Sequence, residues 1–252
     1  MISPAGLRSE QYRGRRPTRL ATSVVADLID AVVGGRLAVG AALPSEQALC
    51  DEFEVSRIVV REALKSLEQK GLVLIRQGQA TVVAPAAQWN PLDEDVLDAR
   101  IRHDESLTVL DNLVHVRVAL ESEMAAAAAS RRSAQDAEEL RRLLAELAGS
   151  LGDHIRYQAL DLAFHDRVMR TSGNDVGQAI VSGIHEHARA SSRYSGGTPT
   201  PEHLGHAQAG HAAIAEAVCA GDEHGAREAM RAHILEAWDL KAAPSARKAR
   251  GR

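Results

Sequence analysis

The chain has 252 residues, of which 45% are hydrophobic and only 3% aromatic, and its formal net charge is −4. That length suits two ordinary domains with room for a core; there is no apolar run long enough to span a membrane and no hydrophobic leader, and two cysteines, Cys50 and Cys219, exclude a disulfide framework, so a reducing cytoplasm is expected. The charge is uneven: residues 1–84 hold 11 Lys+Arg against 9 Asp+Glu, about +2, and the remainder 19 against 25, about −6, which places any nucleic-acid-facing surface in the first third.

The chain opens on a basic arm over 1–17, with Arg8, Arg13, Arg15 and Arg16 and with Arg19 just beyond, that reads as disordered. A helix is expected over 18–34, with Leu20, Val24, Leu28 and Val32 in register and Gly34-Gly35 as its stop. Ser45 reads as the N-cap of a short helix over 47–53, and Glu54-Val55-Ser56 as a tight connector into a second helix. In that helix Val60, Ala63, Leu64 and Leu67 form one buried stripe, while Arg57, Arg61 and Lys65 recur every fourth residue on another face. Gly71 closes the helix, and β-rich runs over 72–76 and 81–83 flank a Gln77-Gly78-Gln79-Ala80 turn. Helix, tight turn, helix, hairpin is a winged helix-turn-helix. Its second helix fits a major groove with Ser56 and Arg57 at the base edges and Arg61 one turn on.

The run LPSEQALCDEFEVSRIVVREALKSLEQKGLV resembles the DNA-binding domain of GntR-type bacterial transcriptional regulators. The resemblance implies operator contacts from Gln47, Ser56, Arg57, Arg61 and the wing tip Gln77-Gly78. It also implies a homodimer on a near-palindromic DNA operator. Gln47 stands where that family usually carries Arg, and Ile58 and Val59 where it often carries Thr, so a phosphate or base contact is lost or replaced; the operator sequence does not follow from the resemblance, whereas the binding mode does.

Residues 85–91 (PAAQWNP) read as a linker. Helices are then expected over 92–102, 106–130, 133–149, 153–172, 174–194, 201–220 and 222–240, and a basic, alanine-rich, disordered tail over 241–252. The fold class is therefore mainly α: the winged helix over 18–84 and a bundle of six to seven helices over 92–240. Asp161 and His165 project from one helix face a turn apart. His211 and His233 lie ten residues before Gly221 and eleven after Asp222, so a helical hairpin folded at Gly221-Asp222 brings them level. One carboxylate and three imidazoles form a ligand set for a divalent metal, Zn first and Ni or Mn next.

LDLAFHDRVMRTSGN and HAAIAEAVCAGDEHGAREAMRAHI resemble the FCD-type effector-binding domain of the FadR branch of these regulators, over about 106–240. The resemblance implies a metal at Asp161, His165, His211 and His233. Arg117 sits in an apolar helix and needs an anionic partner: Glu121 one turn later, or the carboxylate of an effector, as the resemblance implies for an Arg in an R-x-x-L-E context. His185, His187, His203 and His206 fall in no such pattern and read as solvated, with one of them open as a pocket-lining residue. The WNPLDEDVL run resembles branch members that answer to sugar acids such as galactonate. The expected function is a non-enzymatic repressor whose operator binding is modulated by a small organic acid. The competing readings are a metal-dependent helical enzyme fused to a DNA-targeting domain, for which no HExxH motif or nucleophile pair is found, and a nucleoid-type architectural protein, for which the N-terminal charge is too small.

Overall fold

The computed structural model describes residues 17–190 and 199–241, with side chains for 20–186 and 199–240. The basic arm up to residue 16, the loop over 195–198, the His187 side chain and the tail from 242 lie outside the described residues. The chain divides into two compact units, Met1–Glu105 and Ser106–Arg252.

In the first unit α1 (Pro17–Val33) buries Val24, Leu28 and Val32, the apolar spacing expected of it. The short helix α2 (Glu46–Phe53) begins where Ser45 accepts a hydrogen bond from the amide of Ala48, and ends at Glu54 in the left-handed region (φ 53°). That reversal, tolerated here by a non-glycine residue, sets the turn into α3 (Arg57–Gln69), whose N-cap Ser56 accepts from the Val59 amide. Val60, Ala63, Leu64 and Leu67 of α3 are buried with Leu49 and Phe53 of α2 and with Leu28 and Ile29 of α1. Full burial of a Leu or Phe side chain contributes about 1.5–3 kcal/mol, enough that this small core holds the helix-turn-helix together. The wing is two short antiparallel strands, β1 (Val73–Leu74) and β2 (Val82–Val83), with Val73 opposite Val83. Gly71 (φ 76°) turns the chain from α3 into β1 where a Cβ would strike the Gln88 carbonyl.

The stretch that reads as a linker is part of this unit. Ala86–Gln88 forms a 3₁₀ turn, the Asn90 amide donates to the Lys70 carbonyl, and Trp89 packs on the core while its indole N–H donates to the Ala84 carbonyl. Lys70 then ion-pairs with Asp93 and Asp95 at 2.7 and 2.9 Å. The following helix α4 (Glu94–His103), expected to open the effector domain, packs instead against α1 and adds Val96 and Ala99 to its core. His103 meets Asp30 of α1 at 2.8 Å.

The second unit is all-helical: α5 (Thr108–Arg131), α6 (Ala134–Gly149), α7 (His154–Thr171), α8 (Asp175–Ala190), α9 (Pro201–Ala220) and α10 (Glu223–Lys241). Side-chain caps start α6, with a capping box at Ser133 and Asp136, α7 at Asp153 and α9 at Thr200, whereas α5 starts at Leu107 without one. The α9–α10 hairpin turns at Gly221 (φ 81°), and both arms pack along α5. That packing brings α5, α7, α8, α9 and α10 around one buried polar cluster. No described helix is long and apolar enough to cross a membrane.

Candidate nucleic-acid interface and metal centre

The candidate DNA-reading residues lie on the exposed face of α2 and α3. Arg57 Nη2 donates to Gln47 Oε1 at 2.7 Å, and Gln47 Nε2 donates to Asp51 Oδ1 at 2.8 Å. Arg61 Nε meets both Glu46 carboxylate oxygens at 3.0 and 3.2 Å. Exposed pairs of this kind contribute about 0.2–1 kcal/mol, so the guanidiniums are poised yet can be exchanged for a phosphate or a guanine edge at small cost. Ser56 uses its oxygen as the α3 cap, which leaves its hydroxyl proton as the donor. Ile58, beside Arg57, is 70% exposed, an unusual position for a large apolar side chain. The tip residues Gln77 and Gly78 are exposed, and Gly78 takes φ 73°, the conformation that closes the turn.

In the second unit the four residues expected to hold a metal converge: ligand atoms of Asp161, His165, His211 and His233 all lie within 4.8 Å of one another. The i, i+4 spacing on α7 supplies the first two, and the Gly221 hairpin brings the other two level. His165 Nε2 stands 3.2 Å from His233 Nε2. His211 Nε2 approaches Asp161 Oδ1 to 3.1 Å, but off the hydrogen-bond axis, so this buried nitrogen has no hydrogen-bond partner. A buried, unpartnered imidazole nitrogen facing a carboxylate and two more imidazole nitrogens fits a divalent cation, which would satisfy all four at once. Tyr157 stands 3.3 Å from His211 Nδ1 and can accept an Nδ1–H, leaving Nε2 bare for a ligand bond. Phe164 walls the site, its ring 4.8 Å from that of His211. The three imidazoles are buried, and Asp161 is partly exposed.

The electrostatics favour the ligand-ready forms. Burial holds His211 below the usual imidazole range despite the opposing Asp161 charge, and burial with the neighbouring His211 and His165 holds His233 well below it. Both shifts favour the neutral imidazole that metal ligation requires. Burial alone would raise the Asp161 carboxyl, but the close approach of His211 outweighs it and holds the carboxyl below its usual range. Burial, then the Asp161 charge, pushes the Tyr157 hydroxyl up.

Arg117 lies buried on α5, and the internal carboxylate is its partner: Arg117 Nε donates to Glu121 Oε1 at 2.7 Å. The same oxygen is 3.0 Å from His185 Nε2, and Glu121 Oε2 is 2.9 Å from His165 Nδ1. Glu121 is fully buried; burial would raise its carboxyl, but the Arg117 charge and the two histidine hydrogen bonds hold it well below the usual range. His185 is not solvated but buried against Glu121, the pocket-side alternative left open for one of these histidines. Its flanking Val181 and Ile184, both buried, were the sequence signal that this face of α8 turns inward.

Residues 20–83 match the family described as bacterial regulatory proteins, gntR family, and residues 112–236 match the FCD domain. The galactonate operon transcriptional repressor of Escherichia coli (strain K12) is 31% identical over 167 residues, covering 66% of this chain and 73% of that one. The chain belongs to the GntR family. A second GntR relative, the HTH-type transcriptional regulator Mce2R of Mycobacterium tuberculosis (strain CDC 1551 / Oshkosh), is 32% identical over 203 residues, 79% of this chain and 82% of that one. The fold also matches the solved structure of Lar, which controls expression of the Listeria monocytogenes agr system, with a TM-score of 0.56 at 19% identity, covering 88% of this chain and 96% of that one. This GntR chain is a DNA-binding transcriptional regulator with an FCD effector domain, not an enzyme.

Proposed function

We propose that this regulator is a homodimeric repressor that binds a near-palindromic operator and is released from it by a small organic acid held beside a divalent metal. Gln47, Ser56, Arg57, Arg61, Gln77 and Gly78 contact the operator. Asp161, His165, His211 and His233 hold the metal, zinc before nickel or manganese given a donor set of one carboxylate and three imidazoles. When bound, the metal supplies a Lewis-acidic position for a carboxylate or hydroxyl oxygen. Arg117 anchors the acid's carboxylate, and the polar cluster favours a hydroxy acid, a sugar acid such as galactonate. The resemblance of the WNPLDEDVL run and the likeness to a galactonate operon repressor support that class. The cytoplasm is where such a chain meets both DNA and metabolites.

The observation that carries this reading is the convergence of four ligand atoms in one buried cluster that reaches Arg117 through Glu121. An acid can shift operator binding only by the difference between its affinities for the operator-competent and released states. Calorimetric titration of sugar acids into the zinc-loaded protein tests the effector site. Binding should be saturable in the wild type and lost in Arg117→Ala and Asp161→Asn. Equal binding by both variants would remove the acid from this site.

A further inference from the structure

We infer that Glu121 is a positioning residue that sets the proton on the His165 ring and so makes the metal centre and Arg117 one coupled unit, an inference that rests on the metal reading above. Glu121 is a poor candidate for a metal ligand itself, since its Oε1 already receives Arg117 at 2.7 Å and His185 at 3.0 Å. Its other oxygen, Oε2, lies 2.9 Å from His165 Nδ1. An ionised carboxylate only accepts hydrogen bonds, so His165 must carry its proton on Nδ1. In the neutral ring Nε2 is then a lone pair, aimed at the space shared with Asp161, His211 and His233.

The alternative tautomer closes that space. With its proton on Nε2, His165 would donate to His233 Nε2 across the existing 3.2 Å, and two ligand atoms would be consumed in an internal hydrogen bond. Glu121 prevents this without touching the metal position. Arg117 faces the buried carboxylate from the preceding turn of α5 at 2.7 Å and supplies the positive charge that a buried carboxylate needs. Arg117 therefore acts on His165 through a single intervening side chain, and a ligand that engages Arg117 bears on metal affinity through the same carboxylate. Coupling of this kind is reciprocal.

Glu121→Gln separates the two oxygens. The amide oxygen can keep both Arg117 and His185, while the amide nitrogen replaces Oε2 against His165. An N–H group there requires Nδ1 to accept, which forces the proton onto Nε2. Long-range ¹H–¹⁵N spectra of the metal-free, full-length protein at about pH 8, where imidazoles are neutral, read the tautomer directly. The expected result is His165 with Nδ1–H in the wild type and Nε2–H in Glu121→Gln. Zinc affinity, measured by competition with a chromogenic chelator, should fall about 10–100-fold in the variant. An Nε2–H tautomer in the wild type would overturn the inference, and so would a folded Glu121→Gln protein whose zinc affinity stays within about threefold of wild type, well short of the usual effect of losing an orienting partner. Should the variant fail to fold, the wild-type tautomer decides. Should the wild type bind no zinc, the metal reading fails, while the tautomer pair still decides whether Glu121 sets the ring.

Discussion

Gly210 sits directly before His211 on α9, and a Cβ built there would fall on the His233 ring, with Nδ1 the nearest atom and Cγ and Cβ at 3.0 and 3.1 Å. Replacing it with alanine should improve the helix by about 1 kcal/mol, since glycine is a poor helix former. The clash opposes this with about 1–3 kcal/mol if the ring stays in place. The outcome turns on His233, which is buried and packed against the His165 and His211 rings at centroid distances of 5.2 and 4.4 Å. If the ring swings away, stability is kept and the fourth ligand is lost. If it holds, stability drops by up to about 2 kcal/mol, the difference between overpacking and propensity. Either way zinc affinity should fall by at least about 10-fold, the lower bound for disturbing a ligand's orientation. Chelator competition and a metal-free thermal melt measure the two effects together. A folded Gly210→Ala protein with wild-type zinc affinity and unchanged stability would refute the geometry from which the centre is built.

Further outcomes follow from both units. Arg57→Ala should weaken operator binding by about 1–3 kcal/mol and relax preference at one base pair if the guanidinium reads a base, or lower the salt slope by about one if it meets phosphate; fluorescence anisotropy across a salt series separates these from no effect, which would remove Arg57 from the interface. Ser45→Ala removes the cap of α2 and should lower stability by about 0.5–2 kcal/mol in urea unfolding; a change of the wild-type midpoint too small to measure would contradict the capping role. His185, His211 and His233 are all held below the usual imidazole range, burial being the largest cause in each. The unfolded chain then binds protons that the folded rings do not, so their contribution to stability is present above about pH 6.5 and is lost as pH falls, by up to about 1.4 kcal/mol per pH unit for each group. Thermal melts of the chelated protein between about pH 8 and 5.5 should show a steady fall below pH 6.5; a flat or rising midpoint would contradict the neutral, buried state of the rings.

The helix-turn-helix was legible because its signals are local. Ser45 and Ser56 are caps, the α3 stripe repeats at helical spacing, and Gly71 and Gly78 take the positive φ their turns need. The convergence of the four candidate ligands was legible for the same reason, since Asp161 and His165 share a helix face and Gly221 reverses the chain between His211 and His233. What sequence could not supply was the packing of helices distant in the chain. PAAQWNP has the composition of a linker, yet Trp89 and the Asn90 amide fix it to the first unit and carry α4 with them, because Val96 and Ala99 complete a core that α1 and α3 leave open. His185 looked unremarkable because its partner, Glu121, is 64 residues away. Glu121 itself was readable as a neighbour of Arg117, but its second contact, to His165, depends on how α5 and α7 meet.

A metal-dependent, acid-responsive grip on one DNA sequence is the central property proposed for this regulator. The most direct test is anisotropy binding of the full chain to a palindromic operator from its own upstream region, titrated with sugar acids before and after chelation. The expected result is tight, sequence-selective binding that one acid releases only in the metal-loaded protein. Release by the same acid at the same concentration in the chelated protein would contradict it.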